Sequence, residues 1–295
     1  SGVVFPESSL KYNLIYANNT DIGLKDVIIK AKLIGEMFNF NSLKTSGSFD
    51  SRNNIIIWNA ASSPELRLID PGVSGVIEFE MQLKPNYLIK KINDKNFVLK
   101  VDAEISSPTI PYYVAAEKTI GLASSEIKIG GAVFIESSAY FRDPSSNILN
   151  QDSLPPKVNK PVNFIIHWAI KNFATDIKNV AIKSYLPPGA RFTGIVKSNI
   201  NSVPIFNERT QEIIWQIDKI IATKGVISAP IEVVFQVQVI PNLTQIGSEI
   251  PLVGEVLISA LDEFTGSQIG NQFGPLTTKD LKDAGFDSGN GNVVP

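Results

Sequence analysis

The chain lacks cysteine altogether and has one histidine in 295 residues. The first absence removes disulfides, thiolate zinc sites, iron–sulfur clusters and cysteine nucleophiles together. The second leaves His167 as the sole imidazole. No GxSxG elbow is present to pair a serine with it. Long hydrophobic runs are missing too: NFIIHWAI (Asn163–Ile170) is short and carries polar groups, whereas a membrane-crossing helix needs about 20 apolar residues. Charge of one sign is also lacking. Lys plus Arg number 27 against 29 Asp plus Glu, spread without long runs, so the basic field that draws nucleic acid is absent and no nucleic-acid partner is expected. The chain opens on Ser1 with no basic-then-apolar leader. It reads as a processed form or an excised piece, with any membrane anchor outside it.

What is present is a normal globular balance, 43% hydrophobic and 19% charged, and a repeat. FDSRNNIIIW (Phe49–Trp58) returns as FNERTQEIIW (Phe206–Trp215). Upstream, Tyr12, Leu14, Tyr16 and Asn18 match Ile166, Trp168, Ile170 and Asn172, each a strand ending in a polar turn. Val27, Ile29, Ala31 and Leu33 then match Val180, Ile182, Ser184 and Leu186. Turns with Gly35 and Phe38, or Gly189 and Phe192, lead into the Phe-to-Trp motif. Downstream, Ile77, Phe79, Met81 and Leu83 alternate with polar residues, as do Ile231, Val233, Phe235, Val237 and Val239. Both of these strands end in Pro-Asn, and a last alternating strand closes each copy.

A period of two with one apolar face, punctuated by Gly, Pro and Asn, predicts half-buried antiparallel strands. Two such sheets must cover one another. The expected fold is all-β, two tandem antiparallel Ig-like β-sandwiches, the first over residues 1–124 and the second over 125–295 with an extended C-terminal tail. The join falls near residues 106–126, where alternation fades. Ile127–Phe141 supplies a first strand for the second copy, but only ten residues precede Lys11 in the first. The first sandwich should therefore either use Val3–Phe5 as a shortened edge or leave an open edge that invites a strand from another chain.

The second copy, with NVAIKSYLPPGARF, EIIWQI, a Gly turn and IEVVFQVQVIPN, resembles the Ig-like conserved-repeat domain of bacterial surface proteins, a domain of unknown function numbered eleven in its series. The stretches PPKVNKPVNF, LTTKDLKDAG and GNVV are similar to versions from candidate-phyla bacteria. The resemblance covers residues 125–295, and the first copy has Ile34-Gly35 where the second has LPPG. It implies a secreted or surface-displayed sandwich array and carries over no catalytic residue.

Residues able to do chemistry are few. His167, between the inward Ile166 and Trp168, is expected to point outward beside Lys171 as an ordinary surface residue. Asp21, Asp26, Asp70, Asp262 and Glu263 lie in loops or at strand ends without the ligand density of a calcium loop, and read as solvated acids. Trp58 and Trp215 read as core anchors in place of sugar-stacking platforms, with Phe49, Phe206, Phe79 and Phe235 as companions. Arg52 and Arg209 share a turn position from which each side chain could brace loop carbonyls. No catalytic, metal or cofactor residue is expected. The leading reading is a non-catalytic extracellular or cell-surface protein acting as stalk, spacer or assembly module, with protein or cell-surface partners meeting the first sandwich's open edge. The alternative is an adhesin or carbohydrate-binding module using loops at one end of a sandwich. An accessory domain of a hydrolase is a third.

Overall fold

The computed structural model describes residues 2–113 and 115–295. Strands dominate, and the helical segments among the described residues are short 3-10 turns such as Pro64–Arg67 and Ser288–Gly291. Contacts divide the chain into two compact units, one of Ser1–Leu88 with Asn96–Gly130, the other of Ile89–Lys95 with Gly131–Pro295.

The first unit holds β1 (Val3–Val4), β2 (Ser9–Ala17), β3 (Leu24–Lys25), β4 (Ile28–Ile34), β5 (Phe38–Thr45), β6 (Ser48–Asp50), β7 (Ile55–Trp58), β8 (Leu68–Ile69), β9 (Ser74–Leu83), β10 (Val98–Ser107) and β11 (Thr119–Ile129). One sheet runs β1-β11-β10-β4-β7-β6, the other β2-β9-β5, and β3 pairs with β8. The second unit holds β12 (Ala132–Tyr140), β13 (Val162–Phe173), β14 (Ile177–Tyr185), β15 (Ala190–Ser198), β16 (Ile205–Asn207), β17 (Glu212–Ile220), β18 (Ile231–Val239), β19 (Pro251–Val253), β20 (Val256–Asp262), β21 (Gln268–Phe273) and β22 (Leu276–Thr277). Its sheets run β12-β13-β18-β15 and β16-β17-β14-β20-β21, with β19 on β22.

The repeat read from sequence is a repeat of pairing. Ile29 lies opposite Trp58 and Ile105, as Ile182 lies opposite Trp215 and Ile258. Tyr12 faces Phe79 as Ile166 faces Phe235. These shared registers follow from the period of two, because slipping any strand by one residue would turn its apolar set to water. Each pair of sheets closes on one core. Trp58, Phe79, Trp215 and Phe235 are all but inaccessible in it, while Phe49 and Phe206 are half-buried at the margin, stacked on Phe40 at 5.5 Å and on Phe192 at 5.6 Å. At Gly47 a Cβ would sit 2.8 Å from both the Ile57 carbonyl and the Trp58 indole nitrogen, so only glycine lets that turn lie against the tryptophan.

Several local expectations need revision. Asn18 and Asn172 are buried braces, not wet turn residues. The Asn18 amide donates to the carbonyls of Ile22 (2.7 Å) and Ile69 (2.8 Å), and the Asn172 amide to those of Thr175 (2.8 Å) and Ile221 (2.9 Å). The Phe-to-Trp turn is braced by Asp50 and Asn207, whose side chains accept the amides of Arg52 and Arg209 at 3.0 Å. This is the Asx device, which uses a short acceptor two residues back instead of a long guanidinium. The segment around residue 125 stays in strand β11 through Ile129 in the first unit, and the first strand of the second unit starts at Ala132. The C-terminal stretch packs on the second unit, with Leu281 and Val293 buried in its core.

Candidate functional site

The first unit has an unfilled edge. Among the described residues β2 ends its sheet, and β11 is covered by β1 only at Lys128 and Ile129, leaving Thr119–Ile127 bare on that side. Leu83 donates to Ser8 and Asn18 to Val73, so the even-numbered groups of β2 point at β9. By alternation the amides of Lys11, Asn13, Ile15 and Ala17 point away from the sheet. Between the two bare edges runs a groove of about 350 Å³, lined by Tyr12, Leu14, Val101, Ile105, Gly121 and Ala123 among others. A further 210 Å³ continues it past Asn18, Leu24 and Thr119. Small residues of β11 (Gly121, Ala123, Ser125) hold it open. The Tyr12 hydroxyl is buried there without a hydrogen-bond partner, and burial pushes its phenol up to about 12.

His167 points outward, as alternation requires, but it is no ordinary surface residue. Its Nε2 lies 2.5 Å from Asp143 Oδ2, and the side chains are 19% and 6% exposed. The loop after β12 folds over the outer face of the β12-β13-β18-β15 sheet and brings Asp143 there. Lys197 of β15 holds the same loop through the Ser146 (2.6 Å) and Asn147 (2.9 Å) carbonyls, and Gln236 of β18 donates to Asn150 at 2.7 Å. Ile165 and Gln236, outward by alternation, are therefore dry. Burial works against ionisation of Asp143, but bonds from Ser145 and His167 outweigh it and hold the carboxyl below the ordinary range. The Ser145 hydroxyl donates to Asp143 itself at 2.6 Å. The trio is a loop latch in which the serine serves the carboxylate, leaving no serine–histidine contact of the kind a nucleophile needs.

The loop acids also fall into structural places. Asp262 is fully buried, accepting amides from Gly131 (2.9 Å), Phe264 (2.8 Å) and Thr265 (3.2 Å), which corrects its reading as a solvated acid. Asp21 accepts the Tyr113 hydroxyl at 3.0 Å, and Glu263 pairs with Lys219. Among the described residues no three His, Asp or Glu side chains converge as a metal site. With Trp58 and Trp215 enclosed, neither offers a face to a sugar. A signal that sequence reading passed over lies in the β10–β11 loop. Tyr112, 92% exposed, and Tyr113, 59% exposed, pack edge-on with ring centroids 5.3 Å apart. Large exposed aromatics side by side are the one composition cue that marks them.

No family model and no curated protein matches the chain. Among solved structures it is similar to the C-terminal domain of the Streptococcus pyogenes antigen I/II-family protein AspA, at 10% identity over 92% of this chain and 93% of that one, TM-score 0.36. It is similar to the C-terminal domain of the Streptococcus agalactiae polypeptide BspA, at 8% identity over 92% and 94%, TM-score 0.30. It is also similar to BcpA, the major pilin subunit of Bacillus cereus, at 11% identity over 92% and 69%, TM-score 0.32. At TM-scores of this size the likeness assigns no function.

Proposed function

We propose that the chain is a non-catalytic extracellular or cell-surface structural protein whose tandem sandwiches serve as stalk, spacer or assembly module. The observation that carries this reading is that the side chains best able to do chemistry are engaged in holding the fold: His167 and Asp143 latch a loop, and Asp262 ties three backbone amides. The surface of the first unit, in contrast, offers unpaired strand edge, which is an interface for protein. The resemblance to the conserved-repeat domain of bacterial surface proteins points the same way. Protease treatment of intact producing cells tests the location: digestion of the protein without lysis is expected, and full protection would sink the proposal.

A second reading, an adhesin or carbohydrate-binding module using a loop end, is supported by the exposed Tyr112–Tyr113 pair, since aromatic faces stack on sugar rings. A glycan array probed with the protein and with a Tyr112→Ala, Tyr113→Ala variant separates the two. Binding that disappears in the variant favours the adhesin, and an array blank for both removes it.

A further inference from the structure

One strand of the second unit's main sheets has no counterpart in the first unit, and that difference defines a ligand. The sheet β12-β13-β18-β15 maps onto β2-β9-β5 with β13 at β2, β18 at β9 and β15 at β5, and the five strands β16-β17-β14-β20-β21 map onto β6-β7-β4-β10-β11. Of the strands in the second unit's two main sheets, β12 is the one without a counterpart. In the second unit β12 pairs antiparallel with β13, setting Val133, Ile135, Ser137 and Ala139 opposite Asn172, Ile170, Trp168 and Ile166, and all four are buried. By the repeat, those β13 residues correspond to Asn18, Tyr16, Leu14 and Tyr12, which line the groove. The amides of Lys11, Asn13, Ile15 and Ala17 correspond to those of Ile165, His167, Ala169 and Lys171, the β13 residues whose backbone groups turn toward β12.

We propose that this groove takes one β-strand from a second protein chain, antiparallel to β2, in the position β12 occupies in the other unit. The proposal deepens the assembly reading given above. Among the described residues β1 reaches β11 only at Lys128 and Ile129 and the other strands are already paired, so none of them is free to take this place. Its chemistry follows from the lining. Four alternate side chains must be apolar or small to enter between the sheets, as Val133, Ile135, Ser137 and Ala139 are in β12. The centre must be larger than in β12, because Leu14 stands where the second unit has Trp168, and Gly121 and Ala123 stand where it has Asn271 and Phe273.

The probes are two synthetic peptides, the nine residues of Ala132–Tyr140 and the same peptide with leucine at the position of Ser137. In the full chain alone, hydrogen exchange at the amides of Lys11, Asn13, Ile15 and Ala17 should be fast, and the leucine peptide should slow all four. It should bind at least about tenfold tighter than the parent peptide, since it buries several more apolar carbons. Ala123→Arg, at an exposed groove position, should abolish binding, whereas Val76→Lys, on the outer face of β9, should leave it unchanged. Slow exchange at those amides in the free chain, or peptide binding that survives Ala123→Arg, overturns the proposal. A cell-surface protein whose groove ignores both peptides would refute the strand while leaving the proposed function standing.

Discussion

Asn172 offers the sharpest test of how these sandwiches are held at their ends. It is fully buried, and its amide donates to the carbonyls of Thr175 at 2.8 Å and Ile221 at 2.9 Å, with Ile220 a longer third at 3.3 Å. Asn172→Ala removes the donor and leaves two well-bonded carbonyls facing a dry space. At about 1–3 kcal/mol for each buried group left unsatisfied, the loss should be about 2–6 kcal/mol. Asn172→Asp discriminates further. It keeps the shape, replaces the donor with a carboxylate aimed at carbonyl oxygens, and should cost more than alanine at pH 7. Burial and those carbonyls must raise the folded pKa of the new acid above its unfolded value, so its deficit should shrink as pH is lowered toward about 4. Guanidinium denaturation followed by tryptophan fluorescence reads both variants. An alanine loss below about 0.5 kcal/mol, or an aspartate variant as stable as wild type at neutral pH, would refute the brace.

Four further outcomes follow from the same packing. Trp215→Ala, emptying a fully buried indole site, should destabilise by about 3–5 kcal/mol in chemical denaturation; a loss under about 1 kcal/mol would show that the side chain is no anchor. His167→Ala should cost about 1–2 kcal/mol, more than a surface substitution, because it strips a partner from the nearly inaccessible Asp143. The Asp143 carboxyl lies below its ordinary value, so its contribution is present above about pH 4 and lost as pH falls through the lower folded value. Acid titration of wild type against Asp143→Asn should show an acid-sensitive component in the first alone, and identical acid limbs would refute the latch. Gly47→Ala should cost about 1–3 kcal/mol because its Cβ would meet the Ile57 carbonyl and the Trp58 ring. Wild-type stability in that variant would mean the turn has room to move.

The period-two alternation and the two Phe-to-Trp motifs were enough to specify an all-β chain of two similar sandwiches and the inward side of β2, β9, β13 and β18, because which face a strand buries is a local property of its own side chains. The short stretch ahead of Tyr12 left two expectations, Val3–Phe5 as a shortened edge or an open edge, and Val3–Val4 does pair, on β11. What covers an outward face is not local. His167, Ile165 and Gln236 sit on the outer side as alternation requires, yet a loop arriving from β12 seals them, and nothing in their own neighbourhood announces it. The buried Asn18 and Asn172 look like turn residues because their partners, Ile69 and Ile221, are distant in sequence. Likewise, alternation along Ser1–Leu10 could not say which sheet Val3–Val4 would join. That β1 crosses to β11 and leaves a groove beside β2 emerges from the assembled fold, because it depends on how two sheets, each legible alone, close over small residues at Gly121 and Ala123.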